Sequence, residues 1–334
     1  GGALLLLGTL WLWTLAGDLN FSPGGILSGT DPANHLSLQV IFFLLIAGVG
    51  VKAALFPFSH WLPIAMAAPA PVSALLHAVA VVKAGAFGIV RVVFDIYGVE
   101  FARLLAVLPW LAGLAAITII YGSLRAMGQD NLKKRLAWST VSQVSYIALG
   151  VGVGGPTAVI GGLAHLVHQG LMKITLFFCA GNLAETLGVH KISQMTGMGR
   201  RMPWTMAAFT VAALGMIGVP PLAGFFSKWY LGWGGLEAGQ PWVVVVLGVS
   251  TLLNAAYFLP VLYRAWFRAP EHTPQRDHRA TQIGYRRGGQ EANWMLLAPS
   301  LITALLVILA GMLANTPWSP LSWATITALG GFRP

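Results

Sequence analysis

Residues 161–178 read GGLAHLVHQGLMKITLFF, a stretch suited to hydrocarbon that nonetheless carries His165, His168 and Lys173. Imidazole and amine groups can take up and release protons, and neither sits in lipid without cost. Three further lysines, Lys52, Lys83 and Lys228, and a third histidine, His77, lie in similarly apolar text. A lysine at the centre of a membrane helix costs roughly 2.5–3.5 kcal/mol. Four therefore come to about 10 kcal/mol, comparable with the whole stability of a domain. Part of this is recovered if Lys52 and Lys228 lie off-centre and turn their amines toward the interface. Taking an amine out of water favours its neutral form, and an amine near neutrality can serve as a proton relay. All ten Asp and Glu residues fall in loops or at span ends, so the lysines have no evident carboxylate partner in this sequence.

The spacing adds a face. At about 100° per residue, His165 and His168 lie about 60° apart and Lys173 about 80° from His165. His77 and Lys83, six residues apart, lie about 120° from alignment on a continuous helix. One buried histidine is ordinary core; two with a lysine on a single span point to proton handling. The surrounding helices carry breaks. VKAALFPFSHWLP places Pro57 and Pro63 after Lys52, and GVPPLAGFFSK places Pro220, Pro221 and Gly224 ahead of Lys228. Proline removes a backbone donor and crowds the preceding turn, so both spans are expected to be interrupted. Freed backbone at membrane depth persists only against protein or a wet cavity, and paired interrupted segments point to a transport site. For Pro57 and Pro63 the plainer alternative is a helix end beside a re-entrant loop.

The elements that must position these groups follow from composition. Hydrophobic residues make up 56% of the 334 and charged residues 9%, with a mean hydropathy of +0.72. Soluble domains carry roughly 25% charged residues. The fold class is therefore an all-α polytopic membrane protein. Apolar runs near 1–17, 36–56, 70–94, 103–124, 137–154, 158–183, 204–231, 241–267 and 294–314 give nine expected transmembrane helices.

The net charge of +10 does not indicate nucleic acid, because the basic residues sit in short loops between apolar runs. The loops 125–136, 184–203 and 268–293 are basic; 18–35, 153–157 and 232–240 carry no Lys or Arg. This alternation places the start of the chain in the cytoplasm and the C-terminus on the trans side of an inner (plasma) membrane. Arg91 and Arg103 fall on the trans side and are expected to pair with Asp95 and Glu100. The loop 268–293 reads as extended and cytoplasmic, its His272 and His278 solvated rather than metal-binding. Cys179, the single cysteine, reads as a small buried hydrophobe. The chain begins with Gly1 in an apolar run, without a leader and cleavage site; this reads as an N-terminally truncated sequence.

With these residues in view, four ordered motifs resemble a known family. VKAALFPFSHWLPIAMAAPAPVSALLHAVAVVKAGAFGIVR, DNLKKRLAWSTVSQVSYIALG, HLVHQGLMKITLFFCAGN and GVPPLAGFFSKWYL resemble the antiporter-like membrane subunits of respiratory complex I, membrane-bound hydrogenases and Mrp-type Na+/H+ antiporters. The likeness covers nearly the whole chain and is nearest to the D-type proteins of the Mrp antiporters. It implies a fourteen-helix fold with two inverted five-helix repeats, each with one broken helix, of which the nine spans are helices six to fourteen. Residues 1–314 then form an antiporter-like domain: 1–94 the remainder of the first repeat, 103–267 the second repeat, 268–293 a cytoplasmic loop and 294–314 a final helix. Residues 315–334 are left as a C-terminal tail.

The resemblance assigns Lys52 to the first broken helix, Lys83 to the next, Lys173 to the centre and Lys228 to the second broken helix. His77, His165 and His168 would position water or pass protons. It also implies a glutamate partner for Lys52 on a helix outside this sequence, other membrane subunits as partners, and transport of protons, with Na+ open. NLKKRLAWSTVSQ reads as helix entry, with Ser139 and Ser142 lining water.

No cofactor is expected: the sequence has no Rossmann fingerprint, P-loop or cysteine cluster. Redox chemistry would belong to partner subunits of an NADH:quinone oxidoreductase or hydrogenase. Two rivals are a b-type haem protein using His77 with His165 or His168 as axial ligands, which leaves four lysines unexplained, and a non-conducting scaffold or ion-coupled uptake subunit of a different complex.

Overall fold

The computed structural model describes residues 1–17, 19–21, 24–27, 35–269 and 291–332, without the side chains of residues 77, 78 and 331. The described residues form helices joined by short turns, with no strand among them. In order these are α1 (Gly2–Ala16), α2 (His35–Ala53), α3 (Trp61–Ile64), α4 (Ala70–Ala78), α5 (Val81–Arg91), α6 (Val99–Leu104), α7 (Leu108–Met127) and α8 (Leu132–Val153). There follow α9 (Pro156–Leu187), α10 (Met198–Arg201), α11 (Pro203–Ile217), α12 (Ala223–Glu237), α13 (Trp242–Phe267), α14 (Trp294–Met312) and α15 (Pro320–Gly331).

Six of them, α2, α7, α8, α9, α13 and α14, are long and apolar enough to cross a membrane. The nine expected spans are thus not nine uninterrupted helices. Span 204–231 is the pair α11 and α12. Span 70–94 is also divided: α4 ends at Ala78, α5 starts at Val81, and Val79 and Ala80 both direct their N–H groups to the Leu75 carbonyl (3.1 and 3.0 Å). The angle expected between His77 and Lys83 therefore does not apply, because the two residues belong to different helices. The expected interruption after Lys52 is present: α2 stops at Ala53, and residues 54–60 form turns ahead of α3. The stretch read as a tail contains α15, which packs against Val159, Ile160 and Ala164 of α9 through Leu321, Ala324 and Ala328.

The centre of the molecule is α8 and α9. Asn131 caps α8, its side-chain oxygen accepting from the Lys134 N–H at 3.1 Å, so the basic text before this helix is its entry turn. Gly154 supplies the left-handed residue (φ 73°) that ends α8, and Pro156 opens α9 in the first-turn position proline favours. Every residue of α8 from Leu136 to Val153 is buried. A helix that carries Ser, Thr, Gln and Tyr yet faces protein all round must satisfy those groups internally. At 32 residues, α9 is about 48 Å long. On α12, Gly224 lets the two halves of the broken helix meet: a Cβ there would run into the carbonyl oxygen of Gly215 on α11.

On the outside, Arg91 pairs with Asp95 (3.1 Å) and Arg103 with Glu100 (2.9 Å). Both pairings are the ones expected from the sequence. His272 and His278 lie outside the described residues.

Candidate functional site

Lys173 projects from α9 into α8. Its Nζ donates to the Leu136 carbonyl at 3.1 Å and to the Ser139 hydroxyl. Leu136 and Ser139 lie in the first two turns of α8, and Ser139 in turn donates to Leu136 O (2.9 Å). Eight residues earlier on α9, His165 bridges two other helices: Nδ1 to Ser227 Oγ of α12 (2.8 Å) and Nε2 to Gln143 Oε1 of α8 (3.1 Å). The Tyr146 ring meets it edge-on, 4.9 Å between centroids. With both ring nitrogens engaged, this imidazole is fixed in orientation.

Lys83 reaches from α5 to the Leu166 carbonyl on the same turn of α9. That contact brings the fourth helix to the cluster.

Lys228 sits on the second turn of α12 and turns back on the other half of its own interruption. Nζ donates to the Met216 and Ile217 carbonyls of α11, both at 2.8 Å. The last carbonyls of a helix have no partner within it and carry the negative end of its dipole, so an amine is the fitting cap. Its Nζ also lies 5.6 Å from the Tyr146 ring centroid. His168 lies one turn beyond His165 on α9 and is buried with it. Five of the seven expected site residues thus form one buried group.

Two do not join it in the described structure. Lys52, in the last turn of α2, is exposed and has no hydrogen-bond partner among the described residues. The side chain of His77, on α4, lies outside the described residues.

The group is not self-satisfied. His168 is wholly buried, and neither ring nitrogen has a partner among the described residues; the same holds for both side-chain polar atoms of Gln169 and for Nε2 of Gln143. Buried polar atoms in native proteins are almost always paired, with ordered water closing the remainder. Five such atoms on α8 and α9, among three lysines, call for water there.

The chain matches the transmembrane family described as NADH:quinone oxidoreductase/Mrp antiporter over residues 1–254. It belongs to this family. Among curated relatives, NADH-quinone oxidoreductase subunit N of Desulforudis audaxviator is 39% identical over 310 residues, 92% of this chain and 61% of the relative. The D subunit of the Na(+)/H(+) antiporter of Bacillus subtilis is 30% identical over 317 residues, 95% of this chain and 60% of the relative. The chain thus spans about three-fifths of the length of these relatives.

In the Mrp complex from a Dietzia species, one chain has the same fold: TM-score 0.83 at 22% identity, over 98% of this chain and 65% of that one. A chain of the archaeal membrane-bound sulfane sulfur reductase matches at TM-score 0.79 and 27% identity, over 98% and 62%. The first of these chains belongs to an Mrp complex and the second to an archaeal respiratory membrane complex.

The lysines and histidines were legible from residue type. Ser227, Gln143, Gln169, Tyr146, Asn254 and Tyr257 were not singled out, yet all are buried in or beside the same group, Gln143, Gln169, Tyr146 and Asn254 completely so. For four of them a signal existed. Ser139, Gln143 and Tyr146 on α8, and Ser250, Asn254 and Tyr257 on α13, are each spaced i, i+4, i+7, which is one helix face.

Proposed function

We propose that this antiporter-family chain carries protons through the membrane along its buried amines and imidazoles. Lys83, Lys173 and Lys228 are the relay groups, His165 and His168 position water or pass protons between them, and Lys52 and His77 extend the path toward the first interrupted helix. The observation that supports the reading is the set of buried atoms on His168, Gln169 and Gln143 that have no partner among the described residues. Water held there joins Lys83 and His165 to Lys173, and hydrated imidazole and amine groups exchange protons.

None of the four lysines meets a carboxylate among the described residues. Lys83, Lys173 and Lys228 meet carbonyl and hydroxyl oxygens instead, which hold an amine in place without fixing its charge. Each charge moved across the membrane exchanges ~2.3 kcal/mol per 100 mV with the field.

The chain would act within a multisubunit monovalent cation/proton antiporter, its first residues on the cytoplasmic side as the loop charges imply and its C-terminus on the other. The second reading is a proton-pumping membrane subunit of an NADH:quinone oxidoreductase. The 39% identity to a subunit N, against 30% to the antiporter D subunit, favours that one. In both, the chemistry of this chain is the same.

The test is transport by the full-length protein in its assembly. Lys173→Ala is expected to lower proton flux at least 100-fold, because it removes the central donor and acceptor. Flux at the wild-type rate would refute the relay.

A further inference from the structure

The α8 and α13 faces that meet across the group share a pattern. On α8 the text is Ser139-Thr-Val-Ser-Gln143-Val-Ser-Tyr146; on α13 it is Ser250-Thr-Leu-Leu-Asn254-Ala-Ala-Tyr257. Each places a hydroxyl, a carboxamide and a phenol on one face, and all six residues are buried. The contacts are reciprocal, as for antiparallel neighbours. The Tyr146 hydroxyl donates to Ser250 Oγ at 2.8 Å, and Arg135, one turn before Ser139 on α8, donates to the Tyr257 carbonyl, so Tyr257 lies beside the Ser139 end of the α8 stripe. Between them, Asn254 accepts from Tyr257 through Oδ1. Its Nδ2 donates to the Met216 carbonyl (3.4 Å), the same oxygen that Lys228 holds at 2.8 Å.

The stripe therefore ends on a lysine at each side. Lys173 donates to Ser139 of α8, Tyr257 on the facing stripe of α13 donates to Asn254, and Asn254 shares an acceptor with Lys228. Three apolar residues in place of Ser250, Asn254 and Tyr257 would pack α13 at lower cost, since polar groups at membrane depth are expensive unless used. The backbone at Tyr257 is fixed as well. Its carbonyl accepts from Arg135 Nη1 at 2.8 Å, and Pro260, one turn on, removes a helical hydrogen bond and opens that turn.

We infer that Tyr257 is a further residue of the proton path, its phenol oxygen joining Lys173 to Lys228 between α8 and α13, and that Asn254 is a positioning residue that aims this phenol. The inference rests on the relay reading above. In the transfer, the Ser139 hydroxyl turns from the Leu136 carbonyl toward Tyr257. An N–H bond of the Lys173 ammonium breaks and its proton goes to the Ser139 oxygen, while the Ser139 proton passes to the Tyr257 oxygen. The Tyr257 proton passes to a water beside the Asn254 amide, and that water gives a proton to the Lys228 amine. Lys173 is left neutral, Lys228 becomes the ammonium, and both hydroxyls and the water are regenerated. The amide accepts a hydrogen bond but does not carry the proton. Nε2 of Gln143, buried and unpartnered on the same α8 stripe, marks where such a water finds a donor.

This branch is separate from the one through His165, which runs from Gln143 to Ser227. Two connections between the same lysines predict a partial loss when one is cut.

The experiment uses the full-length protein in its assembly, reconstituted in liposomes with a valinomycin–potassium potential and an internal pH dye. Tyr257→Phe removes one oxygen and keeps the ring. The expected result is about a tenfold slower proton flux with an increased H2O/D2O rate ratio, a change that loss of packing alone would not produce. Ser139→Ala should slow flux to a similar extent, and the double variant no further, because the two oxygens act in series; this variant also carries the test if Tyr257→Phe does not assemble. Wild-type flux and isotope ratio in both variants, with Lys173→Ala inactive, would overturn the Tyr257 assignment and leave the relay intact. Wild-type flux in Lys173→Ala would overturn both.

Discussion

At the first interruption, α2 ends on Ala53 with Lys52 in its last turn, and the freed carbonyls go elsewhere: Val51 O accepts from the Trp61 indole at 2.7 Å, and Gly50 O from the Leu55 N–H at 2.9 Å. Lys52 is left exposed. At the second, α11 ends on Ile217, and its last carbonyls are taken by the Lys228 amine, reaching back from α12. Both breaks contain a cis X–Pro bond, Phe56–Pro57 and Pro220–Pro221, and a lysine one to two turns away, so the local text is alike.

What differs is the packing. Lys228 is buried, its Nζ held by Met216 of α11 and close to the Tyr146 ring of α8, whereas Lys52 is exposed. A lysine beside a helix break is therefore tied to the freed carbonyls only where neighbouring helices close over it. At the first break the buried hydroxyl of Ser59 also has no partner among the described residues.

The sharpest way to break this contrast is to remove each amine and measure the thermal unfolding of the assembled protein in detergent. Lys228→Met strips the donors from two helix-terminal carbonyls and should cost roughly 3–5 kcal/mol, the scale of two charge-assisted hydrogen bonds. Equal stability in wild type and variant would show that backbone, not the amine, closes α11. Next comes the glycine that allows the halves to touch. Gly224→Val drives a side chain into the Gly215 carbonyl and should cost about 2–3 kcal/mol. Gly50→Ala at the first break meets only the Leu55 side chain, at 3.4 Å, and should be near neutral. A smaller effect is expected for Trp61→Phe, which removes the indole donor from Val51 O and should cost about 1 kcal/mol. Last, Lys52→Met should change stability by less than about 0.5 kcal/mol while lowering proton flux strongly. Flux unchanged by that variant would remove Lys52 from the path and leave the buried group to work without it.

Much of the site was readable because its cost is local. A lysine in an apolar run is improbable whatever surrounds it, so Lys83, Lys173 and Lys228 stood out, and Pro57, Pro220 and Pro221 marked the breaks beside them. The break between Ala78 and Val81 carried no such mark: no proline or glycine stands there, and 70–94 read as one span. Gln143, Tyr146, Asn254 and Tyr257 were readable in principle, since i, i+4, i+7 polar spacing is visible, but a hydroxyl or carboxamide in an apolar helix is cheaper than a charge and draws less notice. The partners of the lysines were out of reach, because each is an oxygen on another helix, from 11 to 83 residues away.

By itself the sequence determined an all-helical membrane protein, which titratable residues lie in its apolar runs and where proline breaks the backbone, because hydropathy period, charge and proline geometry act within a turn or two of the chain. Only the tertiary structure decided that three lysines converge on α8 and α9 while the fourth stands apart, that carbonyls rather than carboxylates receive them, and that two polar stripes meet face to face. Those outcomes depend on which helices pack together and at what rotation, and residues distant along the chain settle that by fitting one another.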